Sequence, residues 1–159
     1  MTERHRAFLA LGSNIGERVE HLRAAVAAIP DLDAVSAVYE TPPISEVEQD
    51  RFLNMVVRLH TTLDARALLE VCRARETEAL GGRGVRWGPR TRDVDVLWVD
   101  GETVDDSPYL LVPHPRMFER SFVLVPLAYV GADLLPDGYD IAAVAASDEI
   151  VRIGELADL

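Results

Sequence analysis

Apolar and polar positions along this 159-residue chain change period several times. Residues 7–11 (Ala-Phe-Leu-Ala-Leu) form an apolar run ending at Gly12-Ser13-Asn14, which predicts a buried strand closing in a turn. Val19, Leu22, Val26 and Ile29 then recur at helical spacing, with Arg18, His21 and Arg23 on other faces; Pro30 stops that helix. Residues 34–39 predict a second strand, which Thr41-Pro42-Pro43 cannot continue inside a sheet. Over 53–62, Leu53, Met55, Val57 and Leu59 alternate with Asn54, Arg58 and His60, a third strand. Leu68, Leu69, Cys72 and Ala79 line a second helix starting near Asp64, and 93–99 predicts a fourth strand. Strand, helix, strand, strand, helix, strand suits an α+β fold with a ferredoxin-like βαββαβ core. Its sheet is antiparallel and its helices lie on one face. Short helices near 122–130 and 140–146 follow.

Composition narrows the class. A mass of 17.6 kDa and 48% hydrophobic residues suit one domain over 1–159 with a single core. The net charge of −11 argues against a nucleic-acid partner. All 16 basic residues are arginine, so a Walker-A lysine, a Schiff-base lysine and a lysine general base are excluded. A lone cysteine, Cys72, excludes a disulfide framework and a Cys-rich zinc site, and reads as core. The charged N-terminus has no apolar signal region. The longest apolar stretch, 122–132, is interrupted by Pro126 and is too short to span a bilayer. A soluble, cytoplasmic protein without membrane partners is expected.

One window reverses the charge. Residues 73–92 carry Arg73, Arg75, Arg83, Arg86, Arg90 and Arg92 against Glu76 and Glu78, around Gly81-Gly82-Arg83-Gly84. A glycine-rich arginine loop suits a lid over polyphosphate, since arginine forks match phosphate oxygens. A solvated loop paired with the acidic surface explains the window alone equally well. Asp93 and Asp95 shift the balance: on a strand both carboxylates face one way, with Val94 and Val96 facing the other. Two carboxylates on a rigid face can hold magnesium while the arginines hold phosphate. Phosphoryl transfer is then the favoured chemistry.

The other candidates are weaker singly. His114 is stiffened between Pro113 and Pro115, with Arg120 and Phe122 close behind. Phe52, Asn54 and the free backbone groups around Thr41, Pro42 and Ile44 suit a flat heteroaromatic ligand, although core packing explains each of them as well. Trp87 reads as an anchor for the arginine loop.

The run Trp87-Gly-Pro-Arg-Thr-Arg-Asp-Val-Asp-Val-Leu97 resembles the signature of the hydroxymethyldihydropterin pyrophosphokinase family. The likeness extends to Ala10-Leu-Gly-Ser-Asn14, Tyr39-Glu-Thr-Pro-Pro43, Phe52-Leu-Asn54 and Val112-Pro-His-Pro115 through Arg120-Ser-Phe122, over roughly residues 7 to 128. The resemblance implies transfer of the terminal diphosphate of ATP to the hydroxymethyl group of 6-hydroxymethyl-7,8-dihydropterin, leaving AMP, in folate biosynthesis. It also implies two magnesium ions, with Asp93 and Asp95 as ligands. Arg83, Arg86, Arg90, His114 and Arg120 correspond to polyphosphate contacts, and Glu76 and Trp87 belong with the ATP side. Phe52 and Phe122 would sandwich the pterin, while Asn54 and the backbone from Thr41 through Pro42 to Ile44 read its edge. The loop carries two arginines before the tryptophan, Arg83 and Arg86, where the family usually has three. The expected partners are pterin and ATP, with the chain a monomer or weak dimer.

Two rival classes remain on the residues alone. An RNA-binding ferredoxin-like domain would need an aromatic Lys/Arg-Gly-Phe strand, and none is present. A small-molecule sensor without turnover would explain the pocket residues but not the aspartate pair.

Overall fold

The structure, a computed structural model, describes residues 3–14, 17–42, 51–79 and 92–159. Its strands are β1 (His5–Ser13), β2 (Leu32–Val35), β3 (Val38–Thr41), β4 (Phe52–Thr61), β5 (Asp93–Val99), β6 (Val104–Asp106), β7 (Leu110–Val112) and β8 (Val151–Gly154). The helices are α1 (Arg18–Ala28), α2 (Ala65–Ala79), α3 (Ser121–Val130) and α4 (Ile141–Ser147).

Local chemistry explains the helix ends. Ile29 adopts ψ 126°, the extended conformation that a residue before proline prefers, so α1 stops ahead of Pro30. Two acids satisfy the orphan N–H groups at the start of α2. Asp64 Oδ1 accepts from Ala67 N at 2.9 Å, and Glu102, from across the fold, accepts from Ala65 N at 3.1 and 3.2 Å.

The main sheet runs β5-β1-β4-β3-β8, with β2 also pairing β4, and every pairing is antiparallel. A separate hairpin joins β6 to β7. The alternation of β1 divides the interior in two. Ala7, Leu9 and Leu11 join α1 and α2 on one face, through Leu22, Ala25, Leu68 and Cys72. Phe8, Val56 and Leu97 meet Val123, Leu124 and Leu127 of α3 on the other. This α+β architecture corrects the expectation of helices on one face only. The run Val123-Leu-Val-Pro-Leu127 is buried along its whole length, and such a helix needs a sheet face of its own.

Other elements differ in extent. The strand expected over 34–39 is two, because Ser36 interrupts it: its Oγ accepts from Val56 N at 2.9 Å in place of regular ladder pairing. β1 runs two residues further at each end than the apolar run, since β4 and β5 pair with it along both edges. Hairpin β6–β7 and edge strand β8 had no period to announce them. No helix among the described residues is long and apolar enough to cross a membrane.

Two close approaches fix the site's frame. Gly131, just after α3, lies so near the buried Phe8 ring that a Cβ there would sit 2.7 Å from Phe8 Cε1. Arg6 of β1 forks to Asp100 beyond β5 (2.8 Å) and to Asp133 beyond α3 (2.7 and 2.9 Å), pinning the end of α3 to the sheet.

Candidate active site

The register sets the site. Gly12 of β1 pairs with Asn54 of β4 on one side and with Asp93 of β5 on the other. With strands about 4.8 Å apart, the Asp93 and Asn54 backbones stand roughly 10 Å apart across Gly12. Ala10 pairs with Asp95, one step along the same face. Because side chains alternate, Phe52, Asn54, Asp93 and Asp95 share the α3 face, while Leu53, Met55, Val94 and Val96 point into the α1–α2 core.

A pocket of about 240 Å³ opens there. Phe52, Thr41 and Asn54 form one wall, Asp93 and Asp95 another, Phe122 and Arg120 close it from the start of α3, and His114 from the loop after β7. Pro42 also lines it. Ten of the residues singled out from the sequence are described, and nine of them meet in this one pocket. The tenth, Glu76, lies at the edge of β5, where its Oε2 accepts from Val94 N at 3.3 Å, outside the pocket lining. Ile44, Arg83, Arg86, Trp87 and Arg90 lie outside the described residues.

Asn54 is pre-set. Its Nδ2 donates to the buried Thr41 Oγ1 at 2.7 Å, which orients the carboxamide against Gly12. A Cβ on Gly12 would lie 2.9 Å from Asn54 Oδ1 and 3.8 Å from Phe52 Cδ1. The glycine near the end of β1 is therefore a clearance for the Asn54 carboxamide.

His114 is held at both ends. Its backbone N donates to Leu97 O at 2.8 Å, and its Nδ1 accepts from Arg116 N at 3.1 Å. That bond leaves Nε2 as the protonated, donating nitrogen of the neutral ring. Burial holds the imidazole below its ordinary pKa, Asp95 opposes that shift, and Arg120 and Arg116 add to it. Arg120 stacks over the Phe122 ring, its guanidinium carbon 5.6 Å from the centroid, so one short segment brings a cation and an aromatic face to the pocket together.

The described arginines of the 73–92 window do not act together. Arg73 bonds Glu70, and Arg75 bonds Glu78 and the Ala28 carbonyl. Arg92 is buried on the α1–α2 face, away from the pocket. These three serve the scaffold, and strand alternation sends Arg92 to the side opposite Asp93. Ala10, Leu11, Gly12, Met55, Leu97 and Val123 also line the pocket, and none of them was singled out from the sequence as a site residue. The small pair Ala10 and Gly12, two apart on a strand, was the available signal.

A family model described as 7,8-dihydro-6-hydroxymethylpterin-pyrophosphokinase matches residues 8–132. The chain is 47% identical over 129 residues to the 2-amino-4-hydroxy-6-hydroxymethyldihydropteridine pyrophosphokinase of Bacillus subtilis, covering 78% of this chain and 77% of that protein. It is 44% identical over 146 residues to the protein of the same name from Methylorubrum extorquens, covering 89% and 92%. In fold it is similar to a crystal structure of HPPK-DHPS in complex with substrates (TM-score 0.66, 13% identity), covering 93% of this chain and 44% of that one. It is similar too to Plasmodium falciparum HPPK-DHPS with pterin and p-hydroxybenzoate (TM-score 0.62, 13% identity), covering 91% and 43%. The chain thus spans under half the length of these two solved chains.

Proposed function

Because the chain belongs to the 7,8-dihydro-6-hydroxymethylpterin-pyrophosphokinase family, we infer that it transfers diphosphate from ATP to the hydroxymethyl group of 6-hydroxymethyl-7,8-dihydropterin. AMP and the pterin diphosphate are the products, and the reaction belongs to folate biosynthesis. The observation that carries the reading is the pairing of Asp93 and Asn54 across Gly12, which joins an acidic wall and an aromatic-amide wall in one pocket. The strand order β5-β1-β4-β3 supports a ferredoxin-like core, with α3, α4 and β8 added to it in one domain.

The aromatic-amide wall suits the pterin. Phe52 and Phe122 offer ring faces, and Asn54 with Thr41 offers hydrogen-bonding edges that need no reorganisation. The acidic wall suits the triphosphate end of ATP. The donor set fits a hard cation, since Asp93 and Asp95 supply oxygen ligands alone. Among the described residues no group of three or more His, Cys, Asp or Glu could hold a metal, so phosphate oxygens and water would complete the shell. Magnesium bound there, two ions on the family pattern, would neutralise charge on the phosphate chain.

In the reaction the pterin hydroxyl oxygen bonds to the β-phosphorus as the bond from that phosphorus to the AMP oxygen breaks, and the hydroxyl proton passes to Asp95 or to water. Arg120 and the Nε2–H of His114 face the pocket as donors to the charge that develops on the transferred group. Arg83, Arg86 and Arg90 add further cations in this reading, and Glu76 and Trp87 support the nucleotide side. The protein acts in the cytoplasm as a monomer or weak dimer.

Product analysis tests the function. Incubation with ATP, magnesium and the hydroxymethyldihydropterin yields AMP in step with the pterin diphosphate. Formation of ADP, or of AMP without pterin, would overturn it.

A further inference from the structure

Arg92 has no part in the chemistry above, yet it immediately precedes Asp93 and is only 5% exposed. Its guanidinium reaches down into the α1–α2 layer. Nη1 donates to the Arg75 carbonyl of α2 at 3.0 Å, and Nη2 donates to His21 Nδ1 of α1 at 3.3 Å. The Glu78 carboxylate lies 3.7 Å away, and Nε is buried without a hydrogen-bond partner. As a stabilising device this is a poor choice, because an apolar side chain of similar volume commonly equals or betters an incompletely satisfied buried charge.

As a tether it is well placed. Among the described residues, β5 has one strand partner, β1, so its outer edge lacks a ladder. Glu76 of α2 occupies part of that edge by accepting from Val94 N. Asp93 is thus flanked by two residues tied to the helical layer, Arg92 through its side chain and Val94 through its backbone. On its other edge Asp93 pairs with Gly12.

We propose that Arg92 is a positioning residue for the Asp93–Asp95 pair: tied to His21 and to the Arg75 carbonyl, it holds the start of β5 where both carboxylates enter the pocket together. The proposal rests on the reading of those carboxylates as metal ligands. It makes Arg92 a determinant of metal affinity and leaves the pterin contacts, on β3, β4 and α3, untouched.

The test combines direct metal binding with kinetics in Arg92→Leu, Arg92→Lys and His21→Phe. Manganese(II) is titrated in the presence of a non-hydrolysable ATP analogue, with free ion followed by electron paramagnetic resonance. Turnover is measured against magnesium concentration in parallel. Arg92→Leu is expected to weaken manganese binding and raise the half-saturating magnesium roughly 10-fold, the size of effect seen when groups supporting metal ligands are removed. Its pterin affinity and thermal midpoint stay near those of the parent, and excess magnesium restores turnover. Arg92→Lys, which keeps the charge and one contact, falls between. A folded Arg92→Leu protein with unchanged manganese affinity overturns the proposal, and so do parallel losses of metal, pterin and thermal stability. If Arg92→Leu does not fold, His21→Phe decides by the same readout: weakened manganese binding supports the tether, and unchanged binding overturns it. Asp93→Asn separates the two levels. Unchanged manganese binding there defeats the reading of the carboxylates as ligands. Lost binding there, with Arg92→Leu unaffected, defeats only the role of Arg92.

Discussion

Gly12→Ala places a methyl group 2.9 Å from Asn54 Oδ1, closer than a Cβ contact tolerates, with Leu53 O at 3.7 Å and Phe52 Cδ1 at 3.8 Å. The backbone and ring contacts are ordinary, so the Asn54 carboxamide is the group that yields. Its displacement breaks the 2.7 Å bond to Thr41. That loss costs about 0.5–1.5 kcal/mol net. Replacing a strand glycine by alanine returns about 0.5–1 kcal/mol of backbone entropy. The thermal midpoint therefore stays nearly constant. Pterin affinity does not, because a misplaced amide leaves the ligand's polar edge unpaired, at about 1–3 kcal/mol or roughly 5- to 150-fold in Kd. Separate equilibrium titrations with pterin and with an ATP analogue measure this, and only the pterin titration should move. In the double variant Gly12→Ala/Asn54→Ala the clash has no target, so its pterin affinity should match that of Asn54→Ala alone. Unchanged pterin binding in Gly12→Ala, or fully additive losses in the double variant, would refute the reasoning.

Asp95→Asn keeps size and a carbonyl oxygen but loses the charge, and should slow turnover roughly 10²–10⁴-fold in steady-state assays. Its midpoint without metal should equal or exceed the parent's, since one of two neighbouring carboxylates is neutralised. Gly131→Ala drives a methyl group into the Phe8 ring on the buried α3 face and should destabilise by about 1–3 kcal/mol in urea unfolding. Burial holds the imidazoles of His21 and His114 below their ordinary pKa. The unfolded chain therefore binds those protons first, and the stability the neutral rings contribute is present above pH about 6.5 and declines as pH falls below it. Asp31 and Asp133, bonded to Thr61 and Arg6 respectively, sit below the usual carboxylate range and add a second decline at lower pH. Urea unfolding across pH should show the first decline flattened in His21→Phe, and an unaltered profile would contradict it.

What the chain alone determined was local. Apolar patterns reveal β1, α1, β4, α2 and β5: the two helices each bury one regular stripe, while β1, buried on both faces, shows as an unbroken apolar run. The spacing of Asp93 and Asp95 puts both carboxylates on one side of a strand, since a strand repeats every two residues. The motif segments with Phe52, Asn54, His114 and Phe122 were readable because their order along the chain carries the resemblance. The tertiary structure decided what depends on register and on crossing the sheet. Asp93 and Asn54 are neighbours across Gly12 only because β1 pairs with both β4 and β5, and no local pattern encodes a pairing between residues so far apart in sequence. The second helical layer likewise arises because a helix apolar on all sides must find a sheet face, and periodicity does not say which. Arg92 marks the boundary between the two kinds of knowledge. By composition it belongs to the arginine-rich window 73–92, but one step of strand alternation turns it from the pocket into the layer beneath.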